Sequence, residues 1–193
     1  MTRPEIYISI DIETDGPVAG INSMLSLGAA AFKDDPVAEL DGFYEKLAPL
    51  PGMVSNPETM KWWETQTEAY AEATRHPGMP HEVVAAFNTW CETLASDGKL
   101  IAVAWPAAFD FPFVNYYMHA FLGKNPLGFA CLDIRSYANG LMKRADYYGL
   151  KEEEVRSVAG EIDKTGLSPH FAIDDAIEQG RLFMALRKLA SNE

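Results

Sequence analysis

The tightest constraint on this chain is a nine-residue alternation near its start. Ile6, Ile8, Ile10 and Ile12 occupy one set of alternate positions, and Tyr7, Ser9, Asp11 and Glu13 the other. Period two belongs to a β-strand, whose successive side chains point to opposite faces. Positions i and i+2 share a face, so Asp11 and Glu13 stand side by side. Two neighbouring carboxylates in a partly buried place repel each other and stay ionised only beside a compensating cation. Hard oxygen donors suit magnesium or manganese. Alone the pair is weak, because a solvent-facing strand end can carry the same letters.

Further elements follow from pattern. Leu25 to Phe32 and Gly42 to Leu47 read as two more strands, and the short connections suggest an antiparallel meander. Pro57 to Ala73 reads as one helix. Val83, Ala86, Phe87, Trp90, Cys91 and Leu94 keep helical spacing, which predicts an amphipathic helix over 81–95. Leu100 to Trp105 is a buried strand, and Asp110 is expected to open a helix with Pro112 in its first turn. Gly128 to Leu132 is a short strand, Asp133 to Lys143 a helix, and Ile173 to Leu189 the last helix. Three strands followed by alternating helices and strands make an α/β sandwich. At 193 residues, one domain over 1–193 is expected.

Two more motifs bear chemistry. In Ala107-Ala108-Phe109-Asp110-Phe111 an acid follows a buried strand and starts a helix. Sites in open α/β sheets gather at such strand ends, although Asp is also a common helix cap. In His170-Phe171-Ala172-Ile173-Asp174-Asp175, a loop histidine precedes the last helix and two acids lie near that helix's positive end. Asp174 is the rival of Asp175, and one reading has Asp174 capping the helix while Asp175 faces inward.

Composition excludes several classes. No apolar run approaches the roughly 20 residues that span a bilayer, so no membrane partner is expected. The first residues lack a signal peptide's apolar stretch. Cys91 and Cys131 lie in apolar surroundings and make no disulfide framework, which points to a cytoplasmic protein. With 16 basic against 28 acidic residues, the net charge is −12. A surface that held long duplex would be basic. The balance favours short or single-stranded nucleic acid gripped at few phosphates. The run Lys151-Glu152-Glu153-Glu154 reads as solvated surface.

Taken together, Asp11-Ile12-Glu13-Thr14, Phe109-Asp110, and His170 to Asp175 with four residues between resemble the motifs of the DEDDh branch of the DnaQ-like exonuclease superfamily. Ribonuclease T, oligoribonuclease and the proofreading subunit of bacterial replicases are relatives there. The motifs span 11–175, nearly the whole chain. The segment Trp62-Trp63-Glu64-Thr65-Gln66 is similar to one in a subgroup of bacterial and phage 3′→5′ exonucleases.

The resemblance implies a ribonuclease H-like fold with a mixed five-stranded sheet flanked by helices. It implies a 3′→5′ exonuclease acting on single-stranded RNA or DNA 3′ ends with two divalent cations, Mg2+ or Mn2+. Asp11 would bridge both ions, Glu13 and Asp175 would hold the ion carrying the nucleophilic water, and Asp110 would bind the second. His170 would be the general base, a task suited to a side chain that titrates near neutrality. The turn Thr14-Asp15-Gly16-Pro17 would meet the terminal nucleotide, with Gly16 permitting close approach. Met24 is expected either as an apolar wedge against a base or as strand core. Adjacent helix positions point about 100° apart, so one of Trp62 and Trp63 is core, and Trp63 with Gln66 is favoured as the substrate-facing pair. The apolar Phe109–Phe121 and Trp62-Trp63 regions offer surface for a homodimer, a state common among the relatives.

Overall fold

A computed structural model describes residues 3–34 and 37–191. The outermost residues of the expected domain, Met1, Thr2, Asn192 and Glu193, lie outside the described residues. Among the described residues, five strands form one sheet in the order β3-β2-β1-β4-β5. β1 (Glu5–Thr14) and β2 (Met24–Asp34) are antiparallel, as are β2 and β3 (Val37–Lys46). β4 (Lys99–Ala104) runs parallel to β1, and β5 (Cys131–Asp133) parallel to β4. The sheet is therefore mixed, as expected.

The β1 alternation does what period two requires. Ile6, Ile8, Ile10 and Ile12 pack with Val83, Phe87 and Cys91 of α3 (Pro80–Asp97) and Phe113, Val114 and Tyr117 of α4 (Ala107–Leu122). Tyr7 points the other way, into a second core with Leu182, Phe183 and Leu186 of α7 (Ala172–Ser191). That second core also takes Ile134 and Ala138 of α5 (Ile134–Leu141) and Val155 of α6 (Glu152–Ala159). Helices on both faces make a three-layer sandwich. Among the described residues, no helix is long and apolar enough to cross a membrane.

Three sequence expectations need correction. The helix expected over 57–73 is two, α1 (Pro57–Trp63) and α2 (Thr67–Thr74). Asn56 caps α1 by accepting from the N–H groups of Glu58 and Thr59. The chain breaks at Gln66, at φ −120° and ψ 49°, where it reorients so that Tyr70 meets the Trp63 ring at 5.4 Å. α4 opens at Ala107, not Asp110, because the Asp133 carboxylate accepts from the Ala107 N–H at 3.1 Å. Pro112 consequently lies inside that helix. β5 begins later than expected, at Cys131. The acidic run at 151–154 is largely solvent-exposed, as expected, and it also opens α6, whose Val155 is fully buried. Its glutamates lie at the positive helix end, where negative charge is favoured.

Two glycines let α7 approach the sheet. A Cβ on Gly28 of β2 would fall 2.2 Å from the Ala172 carbonyl, and one on Gly180 would fall 2.0 Å from the Phe32 ring. The start of α7 thus lies directly over Gly28, which is paired with Asp11. Gly28→Ala is expected to destabilise by roughly 1–3 kcal/mol, the scale of core overpacking. Urea denaturation checks this, and an unchanged midpoint would show that α7 yields freely.

Candidate active site

Three elements carry acids to one place. β1 ends with Asp11 and Glu13, and its register to β2 shifts between Glu13 and Thr14. Asp110 stands in the first turn of α4, 2% exposed. Asp175 stands in the first turn of α7. Asp174 points elsewhere, accepting from the Ser168 N–H at 2.9 Å and closing the loop before α7. That leaves Asp175 to accept from the His170 N–H at 2.8 Å. The bond anchors His170 at φ +62°, a left-handed conformation that costs energy for a non-glycine residue and is common at functional sites. Donor atoms of Glu13, His170 and Asp175 all lie within 4.8 Å of one another.

The electrostatics follow from this crowding. Burial, then the charges of Asp110, Glu13 and Asp175, pushes Asp11 well above the usual carboxylate range. Burial, then Asp175 and Asp110, lifts Glu13 to about 9. Burial lifts Asp110 to about 7 against backbone hydrogen bonds that pull it down. Burial also raises Asp175, with the His170 N–H opposing. Among the described residues, the buried Oδ2 of Asp110 has no hydrogen-bond partner. An orphaned carboxylate oxygen amid acids held off their normal charge fits a hard divalent cation.

This crowding makes stability depend on pH. The unfolded carboxylates release protons near about pH 4, while the folded ones hold them, Asp110 to about 7 and Glu13 to about 9. The folded state then binds more protons, so its stability falls as pH rises. We expect the metal-free melting temperature to fall between roughly pH 5 and pH 9, by about 2–4 °C per kcal/mol lost. Added Mg2+ or Mn2+ should restore it most at the alkaline end. Calorimetry in EDTA and in metal checks this, and a metal-free protein that grows more stable over that range would refute it.

The other expected contact residues are placed unevenly. Glu13, Thr14, Gly16 and Pro17 line a cleft of about 420 Å³ with Glu58, Trp62 and Phe109. Gly16 is approached by the Asn22 side chain, 2.4 Å from where its Cβ would be. Met24 is 1% exposed within the core, so it is the strand-core alternative, not the wedge. Trp63 is 2% exposed, and its indole N–H donates to the Thr14 carbonyl at 2.9 Å. It braces the end of β1. Trp62 is 41% exposed, and its ring lies 5.1 Å from the His170 ring at 90°. Both tryptophans line the cleft, and Trp62 is the more exposed of the two. Gln66 donates its backbone N–H to the Trp63 carbonyl at 2.9 Å. It lies beside Ser168, Pro169 and Phe171 in a separate groove.

In the Phe109–Phe121 segment Phe113 is 1% and Tyr117 0% exposed, while Tyr116 is exposed at 37%. One residue at the site escaped the sequence reading. Gln179 donates its Nε2 to Asp11 Oδ1 at 2.7 Å. Its only signal was its place on the last helix, four residues after Asp175.

A mixed sheet whose central strand carries two acids, with another acid on each of two helices, is here the framework of a 3′→5′ exonuclease. Residues 6–186 match the 3′-5′ exoribonuclease Rv2179c-like domain model, and the chain belongs to that family of 3′→5′ exonucleases. It is 30% identical over 197 residues to the 3′-5′ DNA exonuclease Cap18 of Escherichia coli, covering 100% of this chain and 97% of that one. Among solved structures, the nuclease domain of 3′hExo, a DEDDh family member bound to rAMP, aligns with a TM-score of 0.70 at 15% identity. That alignment covers 97% of this chain and 93% of the other. S. pombe Pop2p in its Mg2+- and Mn2+-bound form aligns with a TM-score of 0.62 at 15% identity, over 96% of this chain and 83% of that one.

Proposed function

We propose that this exonuclease removes nucleoside monophosphates from single-stranded 3′ ends, with two divalent cations held by Asp11, Glu13, Asp110 and Asp175. The observation that carries the reading is the convergence of four mutually repelling carboxylates around the unpartnered Asp110 Oδ2. When bound, the cations supply charge neutralisation at the scissile phosphate and make the attacking water more acidic. Asp11 sits among the other three acids and would hold the cations together with them. Glu13 and Asp175 flank His170, and Asp110 closes the group from α4. An imidazole nitrogen of His170 takes the proton from the water as its oxygen attacks phosphorus. The bond to the 3′ oxygen of the preceding nucleotide breaks, releasing a 5′-monophosphate and a shortened strand. Trp62 supports the imidazole edge-to-face, and the cleft between Pro17, Trp62 and Phe109 accommodates the terminal nucleotide.

The family model's description names RNA and the E. coli relative's name DNA. Both are single-strand candidates here, because a chain of charge −12 grips few phosphates. Matched digestion of ssRNA, ssDNA, duplex and 3′-overhang substrates, 3′- or 5′-labelled, with Mg2+, Mn2+ or EDTA, tests the reading. Stepwise loss of the 3′ label as a monophosphate, abolished by EDTA, is expected. Release that persists in EDTA would refute the metal assignment, and a preference for blunt duplex would refute the strand assignment.

A further inference from the structure

We infer that Gln179 is a positioning residue that fixes Asp11 for cation binding, an inference that rests on the metal reading above. Gln179 lies one helical turn beyond Asp175 on α7, so both side chains leave the helix on the same side. Its amide makes two bonds with opposite demands. The Oε1 accepts from the Trp105 backbone N–H at 3.0 Å, and the Nε2 donates to Asp11 Oδ1 at 2.7 Å.

A backbone N–H can only donate, so the atom facing Trp105 must be the amide oxygen. The two ends of an amide are otherwise hard to tell apart. Here the Trp105 contact settles the orientation and turns the NH2 group toward Asp11. One side chain thus ties together α7, which carries Asp175, β1, which carries Asp11, and the residue that links β4 to α4, which carries Asp110.

The chemistry of the donor matters. A lysine or arginine at this place would also satisfy Asp11, but it would supply the positive charge that the cations are needed for. A neutral amide occupies one oxygen of Asp11, fixes the carboxylate plane and leaves the negative charge in place. Partners of this kind, one bond removed from a metal, commonly alter affinity about 10–100-fold when lost. The simpler alternative is that Gln179 only pins α7 to the sheet.

Mn2+ binding separates the two. Free Mn2+ is followed by electron paramagnetic resonance as it is titrated into the full chain without nucleic acid. Gln179→Met keeps the length and removes both polar ends. Gln179→Asn keeps the amide but is too short to bridge Trp105 and Asp11 together, and it carries the comparison if the first variant does not fold. Either variant should bind Mn2+ about 10–100-fold more weakly than wild type. The Mg2+ needed for half-maximal release should rise in step, with oligonucleotide KM at saturating metal unchanged. A variant that binds Mn2+ within about two-fold of wild type, whatever its melting temperature in EDTA, overturns the inference and leaves Gln179 a packing residue. Failure of the wild-type chain itself to bind Mn2+ is a separate result, and it overturns the metal reading along with this one.

Discussion

Asp11→Asn will extinguish nucleotide release and raise the melting temperature of the metal-free protein. Both effects have one origin. Asp11 is buried among Asp110, Glu13 and Asp175, and burial first, then their charges, pushes it well above the ordinary carboxylate range. Asparagine keeps the shape, and its Oδ1 can still accept from Gln179. It removes one charge from a cluster that repels itself. Without metal that is a relief, so metal-free stability at pH 8 should increase. With metal it removes a ligand. Cation stabilisation of a phosphoryl transition state is worth several kcal/mol, and at 1.36 kcal/mol per decade the loss of rate is about three decades or more. Metal should also cease to raise the melting temperature. A variant that keeps wild-type release, or that melts below wild type in EDTA at pH 8, would sink this account of the cluster.

His170→Ala should lose about 10²–10⁴-fold in rate, the scale of general base catalysis, and still bind Mn2+ nearly as wild type does. Glu13, His170 and Asp175 bring donor atoms within 4.8 Å of one another, so the imidazole stands close enough to act as either base or ligand. The two roles part on this measurement. A variant that lost Mn2+ affinity together with rate would make His170 a ligand. The expected result reflects how the residue is built in: its backbone N–H is tied to Asp175 and its ring is braced by Trp62. Those contacts aim a side chain whose ring nitrogen must meet water.

Much of this was legible in the amino-acid sequence, for local reasons. The Ile6–Ile12 alternation specifies a strand and the face that carries Asp11 and Glu13, because period two is a local geometric property. Asp110 and Asp175 are weak signals on their own, and only their joint occurrence with Asp11 and Glu13 singles them out. The order of two acids at the last helix was left open, and the Ser168–Asp174 bond resolves it. What was not legible depends on tertiary contact. Trp62 and Trp63 are neighbours in a short helix, and nothing local says which is braced by the Thr14 carbonyl. Met24 heads a strand whose first nine residues are buried, and its backbone N–H donates to the Tyr117 hydroxyl at 2.9 Å. Gln179 has meaning only once α7 lies across β1. The acidic run of α6 concealed a helix because one buried residue, Val155, carries its docking.

The glycine-permitted seat of α7 on β2 has a consequence for when the enzyme becomes an enzyme. His170, Asp175 and Gln179 all come from the loop and helix that follow every strand in chain order. During synthesis the sheet and its first acids can assemble while the proposed general base and one proposed ligand are still unmade, since domains fold as the chain emerges. A chain stalled before residue 170 is therefore a nuclease scaffold without nuclease chemistry. Ribosome-bound intermediates should be harmless to the nucleic acid around them, and hydrolytic competence should arrive in one step with the docking of the last helix.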